Sequence, residues 1–96
     1  MSAWAGSIAE ELGVAGITVI TAYPSGRHAV DVCLHIPYRS LGIECGVHPD
    51  GPAAHIQRHL DLERRGWELI EAYRSRWADR RAELVVEVLN IVRSEG

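Results

Sequence analysis

Ninety-six residues, 47% of them hydrophobic and 24% charged, have the composition of an ordinary folded protein and not of a disordered chain. At this length a chain buries only roughly 60–65% of the surface its unfolded form exposes, which allows one modest core and a single domain spanning 1–96. A formal charge of −3 argues against strong nonspecific binding to nucleic acid.

Taken in chain order, Ser2 or Ser7 is suited to cap a first helix reaching about Leu12, with Trp4, Ile8 and Leu12 spaced four apart on one face. Gly13 and Gly16 end it. Residues 17–23 alternate as a strand does, and Pro24, Ser25 and Gly26 predict a hairpin turn. The second strand, 28–36, should place Val30, Val32, Leu34 and Ile36 in the core and Asp31, Cys33 and His35 on the other face. A turn around 37–40 leads to a third strand over 41–47, with Glu44 on the same type of face as Asp31. Pro52 suits the first turn of a helix over 53–65, which Gly66 closes. Residues 67–73 predict a fourth strand, parallel to the third across a right-handed crossover. Ser75 is placed to cap a last helix over 76–93, whose apolar stripe includes Trp77, Leu84, Val85, Val88 and Val92.

No apolar run reaches the roughly 20 residues of a membrane helix, since Glu87 and Asn90 interrupt the greasiest stretch. The first residues show neither the basic stretch nor the apolar run of a secretory leader, so the expected location is the cytoplasm. Cys33 and Cys45 lack the spacing of a zinc site and read as buried strand thiols. All ten basic residues are arginine, a usage that hints at GC-rich coding.

Residues 28–93 contain Asp31 in a strand after a hairpin, a strand with Ile43 and Glu44, a downstream His, and Arg58, Leu62, Gly66 and Trp67 in an Arg-x-x-x-Leu-x-x-x-Gly-Trp string. Together these features resemble the very-short-patch-repair-like group of the PD-(D/E)XK nuclease superfamily. The resemblance implies an α/β fold with a restriction-endonuclease-like core, a mixed four-stranded sheet with flanking helices in the order αβββαβα. It also implies Mg²⁺-dependent hydrolysis of a DNA phosphodiester, with Asp31 and Glu44 as metal ligands.

The third catalytic position of that family, two residues after the Glu, is Gly46 here, and the chain contains no lysine to replace it. The candidates to complete the site are Asp50, as a third metal ligand, and His48, as a ligand or proton shuttle. His55 and Arg58 would steady the phosphate, and Glu10 or Glu11 could add an accessory carboxylate. His59 stands where the family pairs its Arg with an Asp. His55 and His59, four apart, otherwise read as residues of a solvated helix face. Arginines 64, 65, 74, 76, 80 and 81 read as a salt-bridged surface, since Asp61, Glu63, Asp79 and Glu83 lie among them.

Two functions follow as expectations. One is a reduced endonuclease-like domain that acts on or binds DNA, with cleavage weak or lost. The other is a non-enzymatic protein-interaction module on the same scaffold, of the kind a phage or mobile-element accessory protein would use. Homodimerisation is expected of so small a member.

Overall fold

A computed structural model of the chain describes residues 2–94. Ser2 caps the first helix, α1 (Ala3–Val14), by accepting the Ala5 N–H at 3.1 Å. Ala5, Ile8, Ala9 and Leu12 recur at three- and four-residue intervals along α1 and are buried. The indole of Trp4 anchors the helix, donating to the Ala72 carbonyl at 2.6 Å.

The sheet is mixed and has the order β1-β2-β3-β4. β1 (Val19–Ser25) pairs antiparallel with β2 (His28–Ile36), which pairs antiparallel with β3 (Arg39–Glu44). The chain then crosses through α2 (Pro52–Arg64) and returns as β4 (Glu68–Glu71), parallel to β3. A short helix α3 (Arg74–Trp77) and a 3₁₀ turn (Ala78–Arg80) lead into α4 (Arg81–Arg93). This is the expected α/β class and approximately the expected order, with the last helix divided in two.

Both α1 and α4 contribute to the main core, where Ile8, Leu12, Leu84 and Val88 meet Val32, Leu34, Leu41 and Ile43. α2 reaches the opposite face of the sheet, as its contacts with Glu44 and His28 show. Only Leu62 of α2 is fully buried. Arg39, at the start of β3, ties the far end of the domain together. It grips the Glu68 carboxylate with two nitrogens and also donates to the Ile91 and Ser94 carbonyls, so a cation closes the C-terminus of α4.

Several boundaries differ from expectation, among them β4, which spans Glu68–Glu71 instead of 67–73. β1 runs on through Ser25, so the turn is Gly26-Arg27, and Gly26 supplies the positive φ of 60° that the turn needs. β3 begins at Arg39 and stops at Glu44 instead of Val47. Ser75 lies inside α3, which Tyr73 precedes as N-cap residue without a side-chain bond.

The alternation of β2 also departs from a strict two-residue period. An added Cβ on Gly42 would stand 2.5 Å from Val30 Cγ1, 3.3 Å from Trp67 and 3.5 Å from Leu69, so Val30 lies on the α2 side and apart from Val32. The Ala22–Asp31 pair is missing from an otherwise continuous register, and Ala22 has a φ of 51°. Both strands change face at that point without an inserted residue, since the pairing register is the same on either side of it. Gly42→Ala should therefore overfill this contact and lower stability by about 1–3 kcal/mol, read from a shifted urea midpoint at unchanged slope.

Candidate functional site

The end of β3 collects the polar residues. Glu44 is 2% exposed, the sole polar or charged residue among the buried ones described. A carboxylate so buried needs donors. His59 Nδ1 donates to Oε1 at 2.7 Å, and the Tyr73 hydroxyl donates to Oε2 at 3.4 Å. The two donors arrive from different elements, His59 from the middle of α2 and Tyr73 from the residues just after β4.

His55 extends the network. Its Nδ1 accepts from the His48 backbone N–H and from Arg58, both at 3.2 Å, which leaves the ring proton on Nε2. Nε2 then donates to the Tyr73 oxygen at 2.7 Å. The result is a directed chain, His55 to Tyr73 to Glu44, with His59 entering from the other side. On its outer edge His59 Nε2 lies 3.4 Å from Glu63. Burial, and after it the negative charges of Glu44 and Glu71, push the Tyr73 hydroxyl well above its ordinary value of 10.0, so it stays a donor.

Asp31 comes to the same place along a different route. Val32 stands opposite Ile43 in the β2–β3 register, so Asp31 falls beside Glu44, one step beyond the last bonded pair. Its Oδ2 accepts the Cys45 N–H at 2.8 Å and so satisfies the backbone where β3 ends. The Cys45 thiol is raised from 9.0 to about 12, first by burial and then by the Asp31 charge.

The expected site is thus partly assembled and partly reassigned. Asp31, Glu44, His55 and Arg58 converge. Arg58, expected to meet phosphate, instead donates to the Gly46 carbonyl at 2.8 Å and to His55. His48 is spent locally: its Nδ1 accepts the Asp50 N–H, and its own N–H goes to His55. Asp50 does not join the pair, because its carboxylate is 81% exposed beside His48. Glu11 pairs with Arg81 at 2.8 Å, and Glu10 is exposed on the same helix. His55 and His59 correct the solvated-face expectation, since both turn inward to the Glu44 network.

Sequence reasoning missed Tyr73 altogether, having taken it as the last residue of a strand. The four-residue spacing of His55 and His59 on a helix placed to cross the sheet was the available signal for the histidines, and it is equally the spacing of a solvated face. Nothing comparable marks Tyr73, which lies 29 residues from Glu44.

Beside this network a depression of about 400 Å³ is lined by Val47, His48, Gly51, Pro52, His55 and Ile56. Val47 and Ile56 are 71% and 59% exposed, and Leu60 follows one turn along α2 at 39%. Among the described residues no group of three or more His, Cys, Asp or Glu is arranged to hold a metal ion, and no helix is long and apolar enough to cross a membrane.

The network makes a testable statement about alkaline pH. Tyr73 and Cys45 both hold their protons more tightly folded than unfolded, so their contribution is full below the unfolded values and is lost as pH rises past about 9 to 10. Denaturation midpoints should accordingly fall between pH 9 and 11, and Tyr73→Phe should flatten that fall.

Neither a family model, nor a curated protein, nor a solved structure matches the chain.

Proposed function

We propose that this chain is a reduced PD-(D/E)XK-like endonuclease domain that has lost metal-dependent cleavage and works as a non-enzymatic binding module. The observation that carries the reading is the state of Glu44. A metal-binding carboxylate keeps lone pairs directed at an accessible ion, whereas both Glu44 oxygens face donors of the protein and are closed from solvent. Asp31 is engaged with the Cys45 N–H, Gly46 offers no side chain, and its carbonyl is taken by Arg58. These donors suit a carboxylate acting as a structural acceptor and do not suit Mg²⁺.

The exposed apolar residues Val47, Ile56 and Leu60 favour a protein partner over duplex DNA, and the acidic charge balance points the same way. The closeness of Asp31 and Glu44 supports the remaining reading, weak endonuclease activity. Plasmid nicking separates the two. With Mg²⁺ or Mn²⁺ the wild type should convert supercoiled plasmid no faster than Asp31→Ala, and nicking that depends on Asp31 would overturn the proposal.

The first partner to test is a second copy, by sedimentation of wild type and Ile56→Asp. A dimer that Ile56→Asp returns to monomer fits the apolar patch, and a wild-type monomer directs the search to a different chain.

A further inference from the structure

At the other end of α2, positive charge gathers without a matching number of acids. Arg27 of the β1–β2 turn and Arg64 and Arg65 at the end of α2 line an open depression of about 440 Å³ together with His28 and Asp61. Asp61 is the one carboxylate lining it, and it is shared. Its Oδ2 takes His28 Nε2 at 3.0 Å and Arg27 at 3.3 Å, while Oδ1 takes Gln57 at 2.8 Å and lies 3.5 Å from Arg64. Hydrogen bonds from His28 first, then Gln57, with Arg27 adding to them, hold its carboxyl down at about 2.

Arg65 has no carboxylate partner among the described residues. Its guanidinium lies across the hairpin turn, with Cζ and one terminal nitrogen each 2.5 Å from where a Cβ on Gly26 would be. Glycine at 26 therefore both makes the turn and leaves room for the cation. Three guanidinium groups thus surround one acid in a chain whose overall charge is −3. Arg27 and Arg64 remain 76% and 70% exposed, so their unused N–H groups are available to a ligand.

From this arrangement we infer an anion site that takes a phosphorylated ligand, with a phosphate group held between Arg27, Arg64 and Arg65. Guanidinium forks match phosphate oxygens two at a time, and a depression of this size accepts a pyrophosphate or a nucleotide. A carboxylate peptide offers the same sign but fewer oxygens per group, which favours phosphate. The site lies apart from the Glu44 network and does not depend on how that network is read.

The test is calorimetric titration of the whole chain at low salt with pyrophosphate, then with a short single-stranded oligonucleotide with and without a 5′-phosphate. Binding of pyrophosphate at millimolar concentration or below is expected, weakened about tenfold or more in the Arg64→Ala, Arg65→Ala double variant. Arg65→Lys, which keeps charge and lacks the fork, should retain part of it. Arg80→Gln, altering an arginine stacked on Trp77 instead, should bind as wild type does.

A gain from the 5′-phosphate identifies nucleic-acid ends as a source of the group, and pyrophosphate binding without that gain identifies a small phosphorylated molecule. No binding of pyrophosphate, or equal binding by a correctly folded double variant, overturns the inference. So does tighter binding of an oligoglutamate peptide through the same arginines.

Discussion

Glu44→Ala should lower the unfolding free energy by about 2–4 kcal/mol, because it leaves the His59 N–H and the Tyr73 O–H without their buried acceptor. The substitution also opens a space at the end of β3, which adds to the loss. Glu44→Gln is the informative companion. It retains an oxygen for His59 and fills the same space, but its NH₂ group cannot accept the Tyr73 O–H, so its effect should be smaller than that of Glu44→Ala without vanishing. Urea denaturation at neutral pH measures both. A change below about 0.5 kcal/mol for Glu44→Ala would mean that the network contributes little and that Glu44 is held in place for another reason.

The second large effect concerns the helix that carries the network. α2 presents His55, Arg58 and His59, yet its single fully buried side chain is Leu62. Removing most of that side chain in Leu62→Ala should destabilise by about 2–5 kcal/mol. The loss should also be uneven. Amide exchange across α2 is expected to accelerate much more than exchange in α1 or α4, whose Ile8, Leu12, Leu84 and Val88 form the separate core on the other face. Equal acceleration throughout would show that α2 does not open independently.

Much of this architecture was legible because its signals are local. β2 has the bounds its alternation predicts, and α2 begins at Pro52 and ends before Gly66, as proline and glycine dictate. What could not be read was set by neighbours. The change of face near Ala22 and Asp31 requires two strands to distort at the same point. The division of the last helix follows Trp77, which is buried while Arg80 lies over its ring at 4.8 Å. A hydrophobic stripe alone does not register that turn.

The site divides along the same line. Asp31 and Glu44 were legible as a pair, since strand register places them side by side. The roles of His59 and Tyr73 were not, because a carboxylate reads identically in sequence whether it meets an ion or a ring of donors. Only the packing of α2 and of the residues after β4 supplies those donors. Arg58 illustrates the same point: a cation that could face phosphate is turned onto the Gly46 carbonyl.

The proposal that the cleavage site has become an internal network meets its most direct test in Mn²⁺ calorimetry of wild type and Asp31→Ala. No heat of binding above that of the variant, at millimolar Mn²⁺, is the outcome expected for a Glu44 held by His59 and Tyr73. Stoichiometric binding that disappears with Asp31→Ala would contradict it, and would show that an ion can displace the donors that close this carboxylate.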